Sequence, residues 1–160
     1  MTKRMLLAMF GVGTALALVA APAHAQIKWS VGAGITHPTT SGADNGFHGL
    51  AAAAFSLPAA PIGIRVDGMY HSFTGSSMIG VDGDATYSFA PGPVSPYVLG
   101  GVSWGQSKVD GFSGSSSDFG WNAGGGINFG LSALKLFAEA RYMKIGQGDG
   151  FIPITVGIHF

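Results

Sequence analysis

The sequence predicts an all-β protein, an eight-stranded antiparallel up-and-down transmembrane β-barrel. Three observations carry that reading. Only 10% of the 160 residues are charged while 47% are hydrophobic, against about 25% charged in a soluble globular domain. Beyond residue 25 no run of about 18 apolar residues remains to cross a bilayer as a helix, and the other spanning structure is a closed barrel in which every backbone group is paired. The chain also divides into eight stretches that alternate apolar with small or polar residues, separated by turn formers. Strands with one face on lipid show this pattern.

Composition removes several classes. Glycine is abundant, 27 of 160 residues, without the period of three that a collagen helix needs. Eleven Phe, three Trp and four Tyr give more apolar surface than a disordered chain carries. Eight basic and eight acidic side chains give a formal net charge of +0, so there is no field to recruit nucleic acid. With Cys 0, disulfides, thiolate metal sites and cysteine nucleophiles are excluded.

Residues 1–25 read as a secretory signal peptide. Lys3 and Arg4 precede an apolar stretch from Met5 to about Ala21, followed by Ala23-His24-Ala25. This order predicts cleavage between Ala25 and Gln26, leaving a barrel domain over 26–160. An uncleaved anchor is the alternative; the stretch contains Gly11, Gly13 and Thr14 and falls short of the roughly 20 apolar residues a spanning helix requires. The mature chain keeps six basic and eight acidic side chains, a formal charge of −2.

The first strand is expected over 27–36, with Ile27, Trp29, Val31, Ala33 and Ile35 against Lys28, Ser30, Gly32, Gly34 and Thr36. HPTTSGADNG (37–46) is a loop of turn formers. The second strand, 47–57, is weaker because Ala51–Ala54 has no period, and a helix is the alternative there. Pro58-Ala59-Ala60-Pro61 leads to the third, 62–73, with Ile62, Ile64, Val66 and Tyr70 opposing Arg65, Asp67, Met69 and His71. TGSS (74–77) leads to the fourth, 78–89, with Ile79, Val81, Ala85, Tyr87 and Phe89 opposing Asp82, Asp84, Thr86 and Ser88.

The fifth strand, 96–107, is ambiguous in phase; Val98, Val102 and Trp104 outward is the better fit, which turns Tyr97 inward. KVDGFSGSSSD (108–118) is the longest and most polar loop. The sixth strand, 119–129, sets Phe119, Trp121, Ala123, Ile127 and Phe129 against Gly120, Asn122, Gly124, Gly126 and Asn128. After GLSA the seventh, 134–145, opposes Leu134, Leu136, Ala138, Ala140 and Tyr142 to Lys135, Phe137, Glu139, Arg141 and Met143. GQGDG (146–150) precedes the eighth, whose Pro153 lacks a ladder N–H; that strand is expected to begin near Ile154 or to carry a bulge.

Charge placement supports the parity. An outward Arg or Lys at mid-bilayer costs about 2–4 kcal/mol. Eight of the fourteen mature charges fall on the inward face: Lys28, Arg65, Lys135 and Arg141 with Asp67, Asp82, Asp84 and Glu139. They balance four to four. Asp44, Lys108, Asp110, Asp118, Lys144 and Asp149 lie in loops or within two residues of one, where long side chains snorkel. A soluble barrel would place its polar residues outside.

PYVLGGVSWGQ (96–106), DFGWNAGGGINFGLS (118–132), FAEARYMKI (137–145) and the ending FIPITVGIHF resemble the small eight-stranded outer-membrane barrels of Gram-negative bacteria, the OmpA/OmpX type and the related opacity-protein and porin-family barrels. The resemblance covers essentially the whole mature chain. It implies a bacterial outer-membrane location, with both mature termini in the periplasm and loops 37–46, 74–77, 108–118 and 146–150 outside. It implies outer-membrane lipid and lipopolysaccharide as surroundings. It also implies that Phe160, with Ile158 and Val156, resembles the signal read by the barrel assembly machinery. The chain stops at Phe160, so the peptidoglycan-binding domain of longer OmpA-like proteins is not expected.

Eight strands enclose an interior that side chains fill, so a general diffusion pore is not expected. The inward charges read as a buried network that must pair to be tolerated. A narrow ion path is the alternative, because inward glycines 32, 34, 101, 124 and 126 would leave volume beside the charges. The leading expectation is a non-enzymatic outer-membrane barrel acting in envelope integrity or surface interaction, without a cofactor. A lipid A-modifying enzyme is the rival from another class, with His48, His71 and Ser72 and a carboxylate such as Asp67 or Asp82 as its candidate groups. His71 and Ser72 are adjacent, which points them to opposite faces. The histidines His37, His48, His71 and His159 lack metal-ligand spacing.

Overall fold

The computed structural model describes residues 26–56, 60–111, 113–131 and 134–160. The expected signal peptide, the cleavage-site Ala25 and parts of the PAAP and GLSA turns lie outside them. Eight strands follow in chain order: β1 (Gln26–Pro38), β2 (Gly46–Ser56), β3 (Ile62–Phe73), β4 (Ser76–Ser88), β5 (Val94–Val109), β6 (Ser115–Leu131), β7 (Leu134–Ile145) and β8 (Phe151–His159). Each pairs antiparallel with its sequence neighbour, and β1 pairs with β8 to close the barrel. Closure leaves no edge whose N–H and C=O groups would face lipid unpaired.

Exposure alternates along the strands with the parity read from the sequence. Ile64, Val66, Val81, Val102 and Val156 are exposed, while Leu50, Met69, Leu99, Phe137 and Met143 are buried inside. Phe119 is 79% accessible whereas Arg141 is 1% accessible. That inversion fits a molecule whose outer solvent is hydrocarbon. Trp29, Tyr87, Phe89 and Phe160 ring the end that holds the chain termini, and Phe47, Tyr70 and Phe119 ring the other. Two aromatic belts of this kind sit at the two membrane–water boundaries of a barrel.

Four details differ from the sequence expectation or decide it. Ala51–Ala54 is strand rather than helix, with Ala52 inward; helix propensity is overridden because β1 and β3 pair with every residue of the run. The fifth strand takes the phase with Tyr97, Leu99 and Ser103 inside. Pro153 neither delays β8 nor introduces a bulge. The β7–β8 ladder holds one register from Lys135↔His159 to Met143↔Phe151 and omits only the pairs at Arg141 and Tyr142, while β1 pairs Thr36 with Pro153 on the other side.

The fourth difference is at the loops. TGSS contracts to a turn at Thr74 and Gly75, where Gly75 takes φ 76°, a left-handed conformation that glycine adopts without a Cβ clash. KVDGFSGSSSD contracts as well, because Lys108 and Val109 extend β5 and Ser115–Asp118 extend β6, paired through Lys108↔Ser115. Backbone pairing does not require apolar side chains, so the ladder continues through a polar segment. The β5–β6 hairpin therefore stands beyond β7, whose pairing with β6 starts at Gly120↔Ile145.

Candidate functional site: a charged ring across the lumen

β3 and β7 are four strands apart in the closed order and so form opposite walls. Each presents a charged pair at i and i+2, which the pleat turns to the same face: Arg65 and Asp67 on β3, Glu139 and Arg141 on β7. They meet in the middle. Arg65 donates from Nη1 to Glu139 Oε2 at 2.7 Å and from Nη2 to Glu139 Oε1 at 2.9 Å, a bidentate pair, and from Nε to Asp67 Oδ2 at 2.9 Å. Arg141 donates from Nε to Glu139 Oε1 at 2.6 Å and from Nη2 to Asp67 Oδ1 at 3.2 Å. Both carboxylates thus bridge both guanidiniums, and the four side chains close a ring of alternating sign.

The ring is buried, and further groups extend it. The Tyr97 hydroxyl donates to Glu139 Oε2 at 2.6 Å. Arg141 Nη1 reaches Asp84 Oδ2 at 3.3 Å and lies 3.8 Å from Asp82 Oδ2. Asn122 Nδ2 donates to Asp84 Oδ1 at 2.8 Å and to Ser103 Oγ at 3.2 Å. Charge-assisted bidentate contacts of this kind are the strong members of the hydrogen-bond family, and desolvated charges persist only when so paired.

The sequence placed eight charges in this network; the structure brings six together. Lys28 and Lys135 have the luminal parity but are exposed at the terminal mouth, where they line a cavity with Ser30 and His159. Their positions near strand ends let the ammonium groups reach water. The buried set therefore holds two cations against four carboxylates, not an equal number. Asp82 keeps both side-chain oxygens without a hydrogen-bond partner.

The luminal glycines do not leave open volume. A Cβ on Gly101 would sit 2.6 Å from Asp84 Oδ1, one on Gly124 would sit 2.9 Å from Arg141 Cγ, and one on Gly126 would sit 2.6 Å from the Tyr97 hydroxyl. These glycines make room for the backbone carbonyls of Gly83, Ala140 and Ala138 on the paired strands and for the charged and aromatic side chains that lie across them. The space invoked for a water file is already filled.

A second polar cluster lies toward the loop end. Thr36 Oγ1 is 2.9 Å from Nδ1 of both His48 and His71, and His48 Nε2 is 2.8 Å from Thr155 Oγ1. The imidazoles pair across β2 and β3 at 5.4 Å between centroids. Ser72 is exposed on the outer face, so it does not meet His71, and Asp67 is committed to the two arginines. Among the described residues, no group of three or more His, Cys, Asp or Glu is arranged to hold a metal ion.

The family model described as the outer membrane protein beta-barrel domain matches residues 11–160. The chain belongs to that family of outer-membrane barrels. Among solved structures, it is similar to Neisserial surface protein A, at 18% identity and a TM-score of 0.72, covering 83% of this chain and 95% of that one. It is also similar to Ail, the attachment invasion locus protein of Yersinia pestis, at 17% identity and a TM-score of 0.60, covering 86% of this chain and 100% of that one. The outer membrane enzyme PagL shares the fold at 15% identity and a TM-score of 0.52, covering 83% of this chain and 98% of that one. Likeness at these identities is a likeness of fold. No curated protein matches the sequence significantly.

For this outer-membrane barrel, sequence reasoning missed Tyr97, Asn122 and Ser103 as members of the site and the Thr36–His48–His71–Thr155 cluster as a unit. Parity had turned Tyr97 and Asn122 inward, a signal that they needed partners. Nothing in one strand's pattern says that Tyr97 on β5 meets Glu139 on β7, because that depends on how far each side chain reaches across the lumen.

Proposed function

We propose that this protein is a non-enzymatic outer-membrane scaffold whose lumen is closed by its own side chains and whose task lies in envelope integrity or in contacts made by its loop end. The observation that carries this reading is the Arg65–Glu139–Arg141–Asp67 ring, which ties opposite walls together through buried ion pairs. A conduit would have to break those pairs, and each guanidinium or carboxylate left alone in the interior costs several kcal/mol, on the order of 3–5. The outward Ser72 does not meet His71, and Thr36, whose hydroxyl does meet His48 and His71, is fully buried with them, so the hydrolase reading finds no accessible nucleophile–base pair.

Planar-bilayer recording of the purified barrel tests the closed lumen: the expected result is an unbroken baseline, and reproducible conductance steps would overturn it. Mass spectrometry of lipid A from cells with and without the protein is expected to show one acylation pattern; a lost acyl chain would restore the enzyme.

The reading also places both termini in the periplasm. An even number of strands brings the termini to one end, and the long β5–β6 hairpin stands at the other, as extracellular loops do in this class of barrel. Protease added to intact cells is expected to cut within 108–118, and protection of that segment would reverse the topology.

A further inference from the structure

We propose that the luminal mouth at the end bearing the chain termini is a binding site for a soluble phosphate oxyanion, held between Lys28 and Lys135. The mouth is a cavity of about 350 Å³ whose described lining includes Lys28, Lys135, Arg65 and His159, together with the hydroxyls of Ser56 and Thr86, and contains no Asp or Glu side chain. Lys28 on β1 and Lys135 on β7 approach from the two sides of β8, with Lys135 directly opposite His159. Both are exposed, and neither forms an ion pair within 4.0 Å among the described residues.

The wall between them is built and fixed. His159 is bonded at both ring nitrogens, to Ser30 Oγ at 2.7 Å and to Asn128 Oδ1 at 2.9 Å. Arg65 forms the floor with its guanidinium already committed to Glu139 and Asp67, so the two free ammonium groups are left for a ligand. The opposite mouth has the reverse character: a cavity of about 240 Å³ lined by Asp118 and Asp149 without Lys or Arg. In a mature chain of formal charge −2, cations gathered at one mouth are a local departure that favours an anion there.

Phosphate chemistry suits the pair. Lysine binds phosphate as a compact point charge, and the serine and threonine hydroxyls can donate to the remaining oxygens. A soluble anion is favoured over a lipid headgroup because Lys28 and Lys135 share the luminal parity of Arg65, whereas their neighbours Trp29 and Leu134 are the residues that face lipid.

Calorimetric titration of the folded mature chain in zwitterionic detergent with inorganic phosphate at low ionic strength tests the site. One saturable site is expected, weakened about tenfold by Lys28→Gln or by Lys135→Gln, as loss of a charge-assisted hydrogen bond implies. Lys108→Gln at the other end should leave it unchanged. Heat-modifiable gel mobility verifies that each variant is folded. No saturable heat with the folded wild type, or wild-type affinity in the two lysine variants, would overturn the site. Phosphatidylglycerol vesicles, compared with phosphatidylcholine, separate the sources: displacement of phosphate by the anionic lipid would overturn the soluble assignment.

Discussion

Glu139 accepts from four donors at once, two nitrogens of Arg65, Nε of Arg141 and the Tyr97 hydroxyl. Glu139→Ala leaves two buried guanidiniums short of a partner, and a loss of about 3–5 kcal/mol is expected from equilibrium urea unfolding in lipid vesicles. Glu139→Gln retains the shape and part of the bonding, so it should fall between. The glycines make a second prediction. Gly124→Ala pushes a methyl against the Ala140 carbonyl and against the backbone and side chain of Arg141 and is expected to cost about 1–3 kcal/mol in the same measurement. Gly49→Ala, where a Cβ meets nothing within 4 Å, should be close to neutral; equal losses at both sites would mean that the cost comes from replacing glycine in a strand and not from the close approach of β7 at Gly124.

Within a strand, depth in the bilayer decides what a charge costs. Val102 and Lys108 share the outward face of β5, six residues apart, or about 20 Å along the strand. Lys108 lies at the level where β5 pairs with the polar start of β6, and its ammonium reaches water. Val102→Lys places the same group opposite Trp121 on the lipid face, and refolding into vesicles is expected to show a penalty of about 2–4 kcal/mol. An unchanged stability would put the hydrocarbon band elsewhere on the barrel. At β8, the proposed assembly signal rests on Val156, Ile158 and Phe160, which are all exposed on one face. Removing Phe160 also removes the two backbone bonds it exchanges with Trp29. The comparison that isolates recognition is therefore Phe160→Ala, which keeps them; it is expected to lower the yield of assembled barrel in cells while refolding in detergent stays unchanged.

At the scale of the whole molecule, one closed ladder holds eight strands that could not stand singly in lipid. Opening it anywhere exposes two edges of unpaired backbone to hydrocarbon, each group costing several kcal/mol, so unfolding is expected to be all or none. The purified barrel should run at one gel position unheated and another after boiling, without intermediates. A ladder of intermediate bands would contradict a single cooperative barrel.

How far the sequence reached follows from the range of each interaction. Strand parity, the closed lipid-facing barrel and the inward position of Arg65, Asp67, Asp82, Asp84, Glu139 and Arg141 were legible because the period of two is a local property and a misplaced charge in lipid is costly. The ends of β5 and β6 were not, since a serine-rich segment carries no apolar signal and its extension is set by the partner strand. The start of β8 ahead of Pro153 was decided by β1, which supplies the pairing that β7 omits. Above all, the sequence determined which charges face inward, and only the tertiary structure decided which of them meet. Glu139 finds Arg65 across the lumen while Lys28 and Lys135, with the same parity, reach only the mouth, because pairing depends on height along the barrel and on the reach of each side chain between strands far apart in the chain.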